Sequence, residues 1–173
     1  INVEVPGSKS ITNRALMLAA ISNGKCKLCG VLFSDDSRAF LDCLDKLGFK
    51  LEIDENAKTV VIQGENGKIP NHEATINVRS AGTAARFLTA MLSFSGEYYI
   101  DASEQMKKRP MAPLIESLRE IGADISYHEK EGHFPFTIKG NGQKTDRITV
   151  NIDNSSQFLS ALLIVSTMFE RDM

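Results

Sequence analysis

No stretch of the 173-residue sequence carries the roughly 18 to 20 consecutive apolar residues of a membrane-spanning helix. Nothing at its start resembles a cleavable signal, so the expectation is a cytoplasmic protein with no membrane partner. An excess of charge is also missing: 20 Lys and Arg against 22 Asp and Glu leave a formal net charge of -2. Such a balance gives no bulk attraction for nucleic acid, and any basic site must be local. Cysteine is scarce, with three residues, an odd number that suits a reducing compartment better than a disulfide framework. Cys26 and Cys29 form a CxxC, but no second Cys or His pair follows at zinc-finger spacing, which speaks against a metal site. His128 and His133 flank a polar turn, HEKEGH, that reads as a solvated loop. The phosphate-loop signature is incomplete as well. The run at residues 7–10 is G-S-K-S rather than G-K-S, and Val3 stands where the earlier glycine would be, so nucleotide hydrolysis is not indicated.

What the chain does contain is internal repetition. INV at 1–3, INV at 76–78 and VNI at 150–152 recur at near-equal intervals. Residues 35–64 align with 109–140, placing Leu41, Leu44, Leu47 and Gly48 at one constant spacing from Ile115, Leu118, Ile121 and Gly122. Each unit reads as strand, helix, strand, helix, strand, strand. The second helix of each is amphipathic, with Phe40, Leu41, Leu44 and Leu47 in one copy and Met111, Leu114, Ile115, Leu118 and Ile121 in the other. Gly48 and Gly122 are placed to end these helices, and Pro110 suits a helical first turn. Alternation in Phe49, Leu51, Ile53 and in Phe134, Phe136, Ile138 predicts strands, with turns at 65–67 and 141–142.

The first helix of each unit is of another kind. GSKSITNR precedes ALMLAAI, RSAGTAAR precedes FLTAML, and DNSSQ precedes FLSALLIV. A helix that is polar at its start and apolar around its body belongs in a core, so these three are expected to pack together centrally with their N-termini pointing one way. Helix N-termini carry unsatisfied N–H groups and about half a positive charge, and converging ones make an anion pocket. Ser10, Ser80, Thr83, Ser155 and Ser156 could all serve as N-caps. Capping does not explain Lys9, Arg14 and Arg86 in or beside the same first turns, where a cation is disfavoured unless an anion lies between them. Arg109, in the basic run MKKRP at 106–110, stands before another helix start and offers a phosphate clamp.

PGSKSITNRALMLAA, SAGTAARFL, KKRPM and NSSQFLSALL, in this order and over nearly the whole chain, resemble the amino-terminal half of the 5-enolpyruvylshikimate-3-phosphate (EPSP) synthase family. The resemblance implies an α/β (α+β) fold of repeated βαβαββ units around a pseudo-threefold axis with buried central helices. This is one half of an enolpyruvyl transferase inside-out α/β barrel. It implies a domain at 1–173 with repeats near 1–74 and 75–148 and a truncated third at 149–173, the carboxy-terminal domain being absent. The implied activity is transfer of the enolpyruvyl group of phosphoenolpyruvate to the 5-hydroxyl of shikimate 3-phosphate. It releases phosphate and uses no metal or organic cofactor, in a protein that is monomeric when intact. This chain alone is expected to bind weakly without turning over, since its own carboxy-terminal domain closes the site.

Carried over by motif, Lys9 is the catalytic residue and contacts both substrates, while Ser10 and Arg14 hold the shikimate carboxylate side. Ser80, Gly82 and Thr83 line the phosphoenolpyruvate pocket, with Arg109 on its phosphate and Arg86 supporting that wall. Ser155 and Ser156 bind the shikimate phosphate and Gln157 lies against the substrates. The family usually has Asn where this chain has Ser80, Met at Ala85, and Pro or Leu at Phe87. Two other readings are open. UDP-N-acetylglucosamine enolpyruvyl transferase shares the fold but typically has Lys-Asn at Lys9-Ser10 and a reactive Cys in the loop that here reads DASEQMKKRPM. A non-enzymatic anion-binding module of the same fold would show exposed aromatics between basic residues if it bound RNA, whereas the aromatics here fall in apolar segments.

Overall fold

Ser8 accepts a hydrogen bond from the Ile11 N–H and starts the first helix, α1 (Lys9–Ile21). The computed structural model describes residues 7–153 and 155–169, so the INV at 1–3 lies outside the described residues. After α1 come β1 (Asn23–Cys29), α2 (Asp35–Lys46), β2 (Leu51–Asp54) and β3 (Thr59–Glu65). The second unit contributes β4 (Glu73–Asn77), α3 (Gly82–Met91), β5 (Glu97–Asp101), α4 (Glu104–Lys107), α5 (Ala112–Ile121), β6 (Asp124–Tyr127) and β7 (Phe136–Lys139). The third begins with α6 (Ser156–Val165) and ends in a 3-10 turn at Ser166–Met168.

The strands form two sheets, β1-β3-β2 and β4-β5-β7-β6, in which β4 and β5 run parallel and every other pair is antiparallel. In both sheets the last strand of the unit, β3 or β7, lies inside the sheet with its hairpin partner, β2 or β6, at the edge, which is the structural counterpart of the sequence repeat. The amphipathic helices behave as their periodicity predicts. Leu44 and Leu47 on and after α2, and Leu114, Ile115, Leu118 and Ile121 on α5, are fully buried. Gly48 and Gly122 follow their helices with φ of +88° and +134°, a region where an L side chain is strained.

Several expectations are corrected. Val150–Ile152 forms no strand: residues 148–152 run irregularly, and no described strand lies alongside to take the hydrogen bonds a strand needs. Pro110 is outside its helix, because Met111 is the N-cap and Pro113 occupies the first turn of α5. The basic run at 106–110 is partly helical, with α4 capped by Ser103. In β2 the alternation fails, since Phe49 is buried ahead of the strand while Ile53 faces solvent on an edge. Of the three polar-start helices, only α3 is buried on all sides. It packs against both α1 and α6, whose outward faces leave Ile11 69% and Leu163 62% exposed. The central position goes to the middle helix of the three.

The cysteines separate by environment. Cys26 and Cys29, three apart on β1, point to opposite faces of the sheet, and Cys29 is exposed. Cys43 is buried in α2, and burial pushes its thiol up to about 12 from 9.0, the Lys46 and Arg79 charges opposing. The folded state therefore keeps a proton that the unfolded chain loses. The Cys43 contribution to stability is complete below the unfolded value and lost as pH rises through the folded one. A disulfide reagent at pH below about 9 should label Cys29 readily and Cys43 only on the timescale of unfolding. Prompt labelling of Cys43 in the folded protein would contradict this burial.

Candidate active site

Three helix N-termini open onto one cleft of about 480 Å³: α1 through Lys9 and Ser10, α3 through Gly82 and Thr83, α6 through Ser155 and Gln157. Ser80, Arg86, Arg109 and Asp36 complete its wall. The convergence expected from the repeated polar starts is thus present, and each start is built differently. On α1 the cap is Ser8, so Ser10 stands inside the first turn, where its hydroxyl and carbonyl both accept from Arg14 Nη1. On α6 Ser155 is the cap and accepts from the Gln157 N–H at 3.2 Å.

On α3 no side chain caps the helix, because its N-cap is Ala81. Ser80, one residue too early, hydrogen-bonds Ser103 at 2.7 Å instead. The chain reaches this point through Arg79, a non-glycine residue with φ of +51°. Such a conformation persists only when its surroundings hold it. Here Asn77 Oδ1 accepts the Arg79 N–H at 2.8 Å, Asp42 pairs with its guanidinium, and its carbonyl accepts from the Ser103 N–H at 3.0 Å. The N-terminus of α3 is therefore left open at the cleft while its approach is fastened on both sides.

Two guanidiniums meet over this uncapped turn. Arg86 is only 7% exposed; its Nη1 donates to the Gly82 carbonyl at 2.7 Å, its Cζ lies 5.4 Å from the Phe158 ring centroid, and its Nε has no partner among the described residues. Burial, and after it the charge of Arg109, lower its pKa from the usual arginine value. A methyl group added at Gly82 would lie 2.8 Å from Arg86 Nη1 and 3.2 Å from Arg109 Nη1, so glycine is what lets both cations approach the helix end. Among the described residues neither arginine has a carboxylate partner. The neighbouring Lys107, in contrast, pairs with Asp101, Glu104 and Glu129. Those bonds, chiefly the one to Glu129, raise the Lys107 pKa and anchor the segment that presents Arg109.

The structure thus gathers Lys9, Ser10, Ser80, Gly82, Thr83, Arg86, Arg109, Ser155 and Gln157 in one place, with Gln157 Nε2 donating to Thr83 Oγ1 at 3.3 Å. Two expected members stand outside the wall. Ser156 is exposed on the first turn of α6, and Arg14 lies behind Ser10, over the Phe87 ring at 5.5 Å and within 3.4 Å of Ser160 Oγ. One member was missed: Asp36, whose Oδ2 pairs with Lys9 Nζ at 2.9 Å. Its sequence context, SDDS at 34–37, reads as an ordinary capping box, and Ser34 and Ser37 do form one.

An α/β repeat domain whose helix N-termini and guanidiniums without carboxylate partners converge on one cleft has an electrostatic arrangement that favours anionic groups. The sequence profile of EPSP synthase (3-phosphoshikimate 1-carboxyvinyltransferase) matches residues 2–173, and the chain belongs to this family. It is 39% identical over 171 residues to the 3-phosphoshikimate 1-carboxyvinyltransferase of Trichormus variabilis, covering 98% of this chain and 40% of that protein. It is 41% identical over 167 residues to the pentafunctional AROM polypeptide of Komagataella phaffii, covering 92% of this chain and 11% of that one. The structure of EPSP synthase from Acinetobacter baumannii superposes with a TM-score of 0.84 at 29% identity, over 97% of this chain and 38% of that one. The enolpyruvyl transferase NikO from Streptomyces tendae, at 11% identity and a TM-score of 0.57, shares the fold. The chain spans about 40% of the length of the curated synthases it matches.

Proposed function

We propose that this chain is the shikimate 3-phosphate-binding part of a 3-phosphoshikimate 1-carboxyvinyltransferase. In that reaction the 5-hydroxyl oxygen, losing its proton, bonds to C2 of phosphoenolpyruvate while C3 gains a proton; phosphate then leaves C2 and a proton leaves C3, which restores the double bond. The observation that carries the reading is the pair Arg86 and Arg109, without carboxylate partners among the described residues, over the open end of α3. A buried cation is normally paired; Arg86 instead has the exposed Arg109 for a charged neighbour, which leaves a place for an anion between them. Arg109 and the Gly82-Thr83 turn bind the phosphate of phosphoenolpyruvate, with Arg86 behind them. Ser155, at the N-terminus of α6, receives the shikimate phosphate together with Ser156, and Gln157 positions the ring. Lys9, half exposed on the cleft wall, stabilises the charge that develops on the reacting carbon and assists proton transfer. Ser10 and Arg14 hold the carboxylate end. The remaining acid/base groups come from a carboxy-terminal domain that closes over this one, so the chain alone binds without turning over.

Isothermal titration with shikimate 3-phosphate tests this, with inorganic phosphate and a UDP-sugar as controls. Saturable binding tighter than that of phosphate, weakened about tenfold by Ser155→Ala, is the expected result, a loss near 1.4 kcal/mol. Binding no better than phosphate, or preference for the UDP-sugar, would overturn the assignment. The second outcome would favour the UDP-N-acetylglucosamine reading.

A further inference from the structure

Asp36 has the wrong charge for the place it occupies. Among the described residues it is the one carboxylate on a wall that otherwise presents Lys9, Arg86 and Arg109 around open helix ends. Two features hold it there. It lies in the first turn of α2, where a helix dipole favours an anion, and it pairs with Lys9 Nζ at 2.9 Å. The two partners are unequal. Asp36 has a short side chain, 17% exposed, on a helix whose N-cap is fixed by Ser34 and Ser37; Lys9 has a long one, 51% exposed, at the rim. Its four rotatable bonds make Lys9 the member that moves, and Asp36 the fixed post.

We infer that Asp36 is a positioning residue. It parks the Lys9 ammonium on the α2 side of the cleft, so that an anion must displace a carboxylate to recruit Lys9. A small anion that reaches only part of the site cannot offset the broken ion pair and binds weakly. A larger ligand that also engages Arg109 and the α6 terminus can, and draws Lys9 onto itself. The device thus selects against inorganic phosphate, a product of the proposed reaction, while keeping the ammonium beside the reacting atoms. The inference rests on the anion-cleft reading above, but it is tested with phosphate alone.

The test is a double-mutant cycle on the whole chain: inorganic phosphate affinity of the wild type, Asp36→Asn, Lys9→Met and the double variant. Asp36→Asn should tighten phosphate about tenfold when Lys9 is present and less than about twofold in the Lys9→Met background. Equal tightening in both backgrounds would mean that Asp36 acts only as a repulsive charge, and would overturn the inference, as would no change or a weakening. Since Ser34 and Asp35 remain at the start of α2, the variant should fold; Asp36→Ser, which also suits a helix start, should give the same coupling and serves if it does not. Shikimate 3-phosphate, titrated in parallel, separates the two claims. Coupling on phosphate without shikimate 3-phosphate binding leaves Asp36 in its role and sinks the assignment of substrate; binding without coupling does the reverse.

Discussion

Replacing Arg86 by Met should lower the affinity for anions about 100-fold, near 2.7 kcal/mol, while leaving the protein as stable or slightly more so. The two halves of this result have one cause. In the free protein Arg86 is a buried cation facing a second cation, with its Nε unpartnered and its charge opposed by burial. Its side chain gives one hydrogen bond, to the Gly82 carbonyl. That carbonyl is also reached by the helical N–H four residues on, so removing the guanidinium strands no acceptor. A Met of similar reach keeps the contact with Phe158 and abolishes the repulsion from Arg109. Substituting apolar residues for poorly compensated buried charges is often neutral or stabilising, and a gain of about 1 kcal/mol would raise Tm by about 2–4 °C at this chain length. Adding phosphate should then raise the Tm of the wild type but hardly that of the variant. Arg86→Lys should fall between, since an ammonium neither stacks on Phe158 nor spans two oxygens. The opposite pattern, a lower Tm with unchanged phosphate affinity, would make Arg86 a structural pillar and remove the main support for the anion site.

How far the sequence reveals this site depends on the range of the interactions involved. Polar residues crowding the start of an apolar helix are a local signal, and they located Lys9, Gly82, Thr83, Ser155 and Gln157. The repeat supplied the step from separate helix starts to one shared cleft. The exact capping residue was not legible, because several hydroxyl residues stand within one turn and the chain's approach path decides among them: Ser8 rather than Ser10 on α1, and none on α3. Asp36 was invisible for a different reason. Its partner Lys9 belongs to another helix, and nothing in SDDS distinguishes a carboxylate that caps a helix from one that also faces a cleft. Val150–Ile152 has the composition of a strand, but among the described residues no strand pairs with it, and strand identity is a property of the pair. Likewise the apolar character of α1 and α6 was plain, yet which of their residues are covered depends on what packs beside them. Only α3, with a neighbour on each side, is covered throughout.

That central position predicts where the fold is most easily broken. Phe87→Ala should destabilise the protein by about 3–5 kcal/mol, a large share of the roughly 5–15 kcal/mol that holds a domain together. Phe87 is fully buried at the middle of α3. No surface is near enough to collapse into the space a phenyl ring leaves, so the loss combines transfer and cavity terms. The ring has a second role, since the Arg14 guanidinium lies over it at 5.5 Å while reaching Ser10 and Ser160. Phe87→Leu separates the two. It refills most of the volume, and its loss should stay below about 1.5 kcal/mol. What it removes is the aromatic face under Arg14, worth about 0.5–1 kcal/mol, which should appear as a few-fold weaker hold on the carboxylate end of shikimate 3-phosphate. Urea unfolding reads the first effect as a lower midpoint at unchanged slope, and titration of the Leu variant reads the second. If Phe87→Ala lost less than about 1 kcal/mol, α3 would not be the packed centre that its burial describes, and the helix ends it sets at the cleft would owe their position to something else.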